Sequence, residues 1–140
     1  MTHGPDALRT KPPLLVWWII WTGTLAGLAV VYLFTTRGPA QPLDLPPETT
    51  LTGLIGIVPL FVSIVIRWLI LPRHREPARA FVLFVLGIAM AESCGILGTF
   101  LGGPYREDLF VLGLLGIAQF VPFFAKGLFE PKGSGFIPNN

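Results

Sequence analysis

The sequence predicts an all-α membrane protein, with four transmembrane helices in two antiparallel hairpins and both termini cytoplasmic. Three observations lead there. The 140 residues are 52% hydrophobic and only 13% charged, about half the charge usual in soluble domains. The apolar residues collect in four runs, each close to the ~20 residues that a helix needs to cross ~30 Å of hydrocarbon. The charged residues fall at the ends of these runs or between them, with one exception, Glu92. Mean hydropathy is +0.67. The alternation of a membrane β-strand is absent, and in lipid a helix satisfies its own backbone polar groups.

Residues 1–12 are polar and broken by Pro5 and Pro12, which reads as a cytoplasmic tail. The first span, about 13–36, carries Trp17, Trp18 and Trp21 near its start, where amphipathic rings suit the membrane–water interface. Its apolar part exceeds the ~7–15 residues of a signal-peptide core, and no small-x-small cleavage site follows, so it is read as a retained helix. Gly38, Pro39, Pro42, Pro46 and Pro47 then make a loop. The second span, about 49–71, is polar only at Ser63 and Arg67, and Pro59 in its interior is expected to kink it. A basic connector, 72–77, leads to the third span, about 78–102. A Gly-Pro turn precedes the fourth span, about 108–126, which contains Gln119 and Pro122. The four spans form one transmembrane domain, 13–126, followed by a cytoplasmic tail at 127–140.

Of the ten Lys and Arg, all but Arg37 and Arg106 fall on one side of this arrangement. That asymmetry places both termini in the cytoplasm, as in a multi-pass protein of a bacterial inner membrane. Arg73, His74, Arg75 and Arg79 of the middle connector are topology determinants that also meet anionic lipid head groups. A docking site for a cytoplasmic partner is the sharper alternative for them. The net charge of +2 signals no nucleic-acid partner, because the bases flank the spans. The single Cys94 supports neither a disulfide framework nor a metal cluster. No nucleophile–base pair, nucleotide loop or cofactor motif is present, so no enzyme activity is expected.

Glu92 lies ten residues before Gly102, about 15 Å from the outer end of its helix. Counted inward on the other spans, the same depth falls near Ala26, near Leu60 with Pro59 and Ser63, and near Gln119. A polar layer around Glu92 is therefore expected, with Ser63, Thr99, Gln119 and the Ile55 carbonyl freed by Pro59 as partners. An ionised carboxylate at mid-membrane costs roughly 2.5–3.5 kcal/mol on insertion scales, so the neutral acid is the expected resting form. Two readings stay open. Glu92 either locks the bundle with a hydrogen bond to Gln119, Ser63 or a free carbonyl, or binds a proton or cation reversibly.

Gly87, Ala91, Gly95, Gly98 and Gly102 form a stripe of small residues on the third span, and Gly23 and Gly27 form a shorter one on the first. Such stripes let helices approach closely in lipid, where packing replaces the hydrophobic effect. They fit a subunit in a homo-oligomer or larger membrane complex. They equally fit a structural or assembly protein that transports no ion and uses the stripes for helix docking.

The hairpin made by the second and third spans resembles that of the proteolipid c subunit of rotary ATP synthases and ATPases. The residues carrying the resemblance are Arg75-Glu76-Pro77 in the loop, then Ala91-Glu92 and Gly98. The resemblance implies that Glu92 is a carboxylate binding a proton or sodium ion. The chain also resembles small four-span bacterial membrane proteins with an acid in the third helix, a likeness that implies no particular activity.

Overall fold

The computed structural model describes residues 13–37 and 54–129, without the side chains of 128 and 129. The N-terminal tail, the loop residues 38–47, the start of the second run at 49–53 and residues 130–140 lie outside the described residues. Four helices are long and apolar enough to cross a membrane: Leu14–Thr36, Leu54–Arg73, Pro77–Leu101 and Gly103–Gly127. Their outer faces present exposed Ile19, Phe34, Val58, Phe61 and Phe123. Apolar surface on that scale would drive association in water, but it is the natural surface against acyl chains. The chain is thus an all-helical, multi-pass membrane protein.

The first span is one uninterrupted helix, α1 (Leu14–Thr36). The second begins with a 3-10 turn, Leu54–Gly56, continues as α2 (Ile57–Val65), widens into a π-helical turn at Ile66–Ile70 and closes with a 3-10 turn, Leu71–Arg73. Pro59 therefore stands in the first turn of α2, where a missing N–H is tolerated. Among the described residues the irregular backbone of this span is the 3-10 turn just before α2, the π turn after it and the closing 3-10 turn. The third span, α3 (Pro77–Leu101), starts on a proline whose fixed φ suits the first helical position. At its far end Gly103 takes φ 49°, a left-handed conformation that a side chain would disfavour, and the chain reverses. The fourth span is broken into α4 (Arg106–Ala118) and α5 (Phe123–Phe129).

The α3 helix is the centre of the bundle and touches the other three spans. Its small residues face more than one neighbour. Gly98 lies against Leu109, Gly87 against Phe120, and Gly56 of the second span against Cys94. Trp17 packs on Phe84 and Leu28 on Gly95, so α1 and α3 run parallel. The second and fourth spans run antiparallel to α3, so successive spans alternate in direction. Among the described residues α1 packs mainly against α3 and α4, with little contact to the second span. A helix with small residues around much of its girth can be surrounded, and α3 is that helix.

Of the tryptophans expected at the membrane interface, Trp17 turns into the bundle, while Trp18 and Trp21 stay partly exposed. Trp17 is fully buried and meets Phe81, Phe84 and Phe124 with ring centroids 5.2, 4.7 and 5.9 Å away. Trp18 lies edge-on to Phe123. This aromatic layer joins the start of α1 to the end of the fourth span.

The tightest contact is between α3 and α4. A Cβ at Gly113 would lie 2.7 Å from the Gly95 backbone, and one at Gly116 would lie 2.9 Å from the Ala91 Cβ. Gly113→Ala must therefore push two helices apart, and we expect it to destabilise the protein by about 1–3 kcal/mol. Gly27 has no atom within 4 Å of its would-be Cβ. Gly27→Ala should leave stability unchanged or raise it by up to about 1 kcal/mol through helix propensity. Unfolding of both variants in a detergent titration measures the difference.

Candidate functional site

The break in the fourth span gathers the polar groups of the bundle. Pro122 has no N–H to continue the helix and disfavours helical backbone at the residue before it, so α4 ends at Ala118. The chain passes through tight turns, with Phe120 N–H donating to Ile117 and Val121 N–H to Ala118. Two carbonyls at the break take side-chain donors from other spans. The Trp21 indole Nε1 donates to the Ile117 carbonyl at 2.9 Å, and Arg67 Nε donates to the Gln119 carbonyl at 2.7 Å.

The Gln119 side chain extends this junction. Its Oε1 accepts from Trp68 Nε1 at 3.1 Å, and its Nε2 donates to Ser63 Oγ at 3.3 Å. Ser63, fully buried, donates in turn to the Gly87 carbonyl at 2.8 Å. A chain of hydrogen bonds thus runs from the second span through the fourth to the third. The π turn at Ile66–Ile70 places Arg67 and Trp68, residues adjacent in sequence, so that both reach Gln119. The Arg67 guanidinium also lies 4.5 Å from the Phe124 ring centroid and 5.3 Å from that of Trp68, within cation–π range.

Glu92 is not part of this junction. It is partly buried on α3, and among the described residues no hydrogen bond or ion pair engages its carboxyl. Ser63 and Gln119, expected as its partners, bond to each other. Thr99 donates back to the Gly95 carbonyl of its own helix at 2.8 Å, and Ser93 to that of Ala89 at 2.7 Å. The geometry of α3 explains the separation. Ser63 meets α3 at Gly87, five residues from Glu92, which is about 7.5 Å along the axis and ~140° around it. On the helical wheel Glu92 stands about 60° around α3 from Gly95, the residue covered by Leu28 of α1. Residue counts placed Ser63 and Gln119 within about a turn of Glu92, but they meet α3 at the level of Gly87, and on another side of the helix.

The small-residue stripes divide. Gly87, Ala91, Gly95 and Gly98 are buried under Phe120, Gly116, Gly113, Leu28 and Leu109, and Gly102 is closed by the turn to Arg106. Gly23 and Gly27 face open space. Gly113 and Gly116, which fill the stripe from the other side, were not singled out in the sequence, although their spacing of three in the fourth run is a small-residue signal. Arg67 was read only as a flanking charge, because it lies near the end of an apolar run. Of the connector residues, Arg79 pairs with Glu76 at 2.9 Å, His74 Nδ1 donates to the Ile70 carbonyl at 3.0 Å, and Arg73 and Arg75 are exposed. Among the described residues no three His, Cys, Asp or Glu side chains come together as a metal site.

Comparison with protein-family models, with curated proteins and with solved structures finds no match to this chain.

Removing the Gln119 side chain takes away the acceptor of the exposed Trp68 indole and one donor to Ser63, which keeps its bond to the Gly87 carbonyl. Gln119→Ala should cost about 0.5–1.5 kcal/mol, the net worth of a lost hydrogen bond. Thr99→Ala removes only a bond to its own helix and should stay within about 0.5 kcal/mol. Thermal unfolding of the two purified variants in detergent compares them.

Proposed function

We propose that the protein is a small, non-catalytic subunit of a bacterial inner-membrane assembly, whose third-span carboxyl, Glu92, binds a proton or sodium ion reversibly. The observation that carries this reading is that no hydrogen bond or ion pair engages Glu92 among the described residues. Of the side chains suited to lock it as a structural hydrogen-bond donor, Ser63 and Gln119 are bonded to each other and Thr99 to its own helix. A carboxyl in a membrane span that is not tied by its own bundle is open to an ion, to water or to a group on another chain. The concentration of bases at one end of the bundle supports an orientation with both chain ends in the cytoplasm. The resemblance to proteolipid c subunits points to the same residue.

The test is labelling of native membranes with a hydrophobic carbodiimide, which reacts with the protonated carboxyl, read by mass spectrometry over a pH series. The Glu92→Gln protein serves as the blank. Modification of Glu92 that falls as pH rises is the expected result. No modification at any pH would show a sealed carboxyl and remove the ion-binding role.

A second reading, an assembly protein without ion transport, is favoured by one separate observation: the uncovered face of α1 at Gly23 and Gly27. On that reading Gly27→Leu lowers the oligomeric state measured by native mass spectrometry, while the monomer stays folded. An unchanged oligomer distribution would sink it.

A further inference from the structure

At the basic end of the bundle, the second, third and fourth spans enclose a cavity of about 220 Å³ lined by Arg67, Leu71, His74, Arg75, Ala80 and Phe124. This is several times the ~30 Å³ that a water molecule occupies in the liquid. The walls are apolar and the ionisable groups are all bases. No carboxylate stands among the described residues that line it. Glu76, the acid of the connector, pairs with Arg79 and lines the neighbouring cavity instead.

Arg67 is fixed at this site rather than free to swing into solvent. Its Nε donates to the Gln119 carbonyl, and the Phe124 ring lies against the guanidinium. These contacts set the plane of the group and use one N–H. The two terminal nitrogens make no hydrogen bond or ion pair to the described residues. A half-buried cation with aromatic walls and no counter-charge is costly unless an anion completes it. A planar fork with its outer donors free matches the paired oxygens of a phosphate group. Arg75 and His74 stand at the same cavity and add to the positive field there.

Arg67 is six residues before Arg73, the last residue of the span, about 9 Å along the helix. Trp68 and Leu69, in the same turn, are 63% and 53% exposed. A phosphate at Arg67 would therefore sit at the edge of the apolar zone, beside open apolar surface.

We propose that this cavity binds a phosphate group through Arg67, with Arg75 and His74 at its mouth. The chemistry is shared by an anionic phospholipid head group and by soluble phosphate, and the test separates the two.

The full-length protein in detergent is titrated with short-chain phosphatidylglycerol, with phosphatidylcholine of the same chain length, and with inorganic phosphate, and thermal unfolding is followed. The expected result is saturable stabilisation by phosphatidylglycerol beyond that by phosphatidylcholine. If inorganic phosphate reproduces the effect, the site takes soluble phosphate; if only phosphatidylglycerol acts, it takes the lipid. Arg75→Gln, an exposed change that leaves the Arg67–Gln119 bond intact, should weaken the apparent affinity about tenfold. Arg73→Gln removes the same charge outside the cavity and should leave the affinity unchanged. The proposal is overturned if neither phosphatidylglycerol nor phosphate stabilises more than phosphatidylcholine. It is equally overturned if Arg73→Gln weakens binding as much as Arg75→Gln.

Discussion

The close approach of α3 and α4 is the constraint on which the rest of the bundle depends. Gly95 faces Gly113, and Ala91 faces Gly116, with no room for a further carbon between them. Lipid tails are as apolar as leucine, so helices in a bilayer gain little from burying apolar surface; they gain from dense contact between backbones. Where α3 and α4 meet, two small residues replace two side chains and supply that contact. The same helix then offers Gly95 to Leu28 of α1, and Cys94 to Gly56 of the second span. A single helix with small residues on several sides can hold three neighbours, and a bundle centred on it does not require its first and second spans to pack.

Dense packing of this kind leaves few places for polar groups, and the break in the fourth span concentrates them. Ending a helix inside a membrane exposes carbonyls that water cannot reach, so each must find a donor from the protein. Trp21 and Arg67 serve the carbonyls of Ile117 and Gln119, while the Gln119 side chain ties Trp68 to Ser63. The first and second spans thus bond directly to one short irregular segment of the fourth, and Ser63 links it to the third. The π turn of the second span belongs to the same arrangement, since it presents Arg67 and Trp68 to a common acceptor residue. Irregular backbone appears in both partners at the level where they meet, a pairing often associated with functional rather than purely structural segments.

Two ionisable residues within the spans have opposite circumstances. Arg67 is held by a carbonyl and an aromatic ring, and lines a cavity shared with His74 and Arg75. Glu92 is farther from the span ends, partly buried, and unbonded by its own chain among the described residues. They also belong to different parts of the bundle: Arg67 to the contact of second and fourth spans, Glu92 to α3. An internal Arg–Glu pair, the simplest way to neutralise both, is not used. Among the described residues each is left with unsatisfied bonding capacity, which is why each is read as a place where something else can bind.

How much of this could be read from the residues follows from what kind of property each feature is. Apolar run length, the confinement of charge to run ends and the spacing of Gly87, Ala91, Gly95 and Gly98 are properties of single helices, set by rise and period. The four spans, the membrane class and the existence of a packing stripe on the third span were legible for that reason. Ser63 and Gln119 stood out as well, because polar side chains in apolar runs require partners. Which partners they take depends on azimuth between helices, and no count along one chain contains it. Ser63 and Gln119 turned to each other at the level of Gly87, about 140° around α3 from Glu92. Trp17 entered the core because Phe81, Phe84 and Phe124 converge there from two other spans. The residues by themselves determined that four helices cross and where each is slender. The tertiary structure decided which helix is central, which polar groups are satisfied and that Glu92 is not, because those are relations between helices, fixed only when their faces meet.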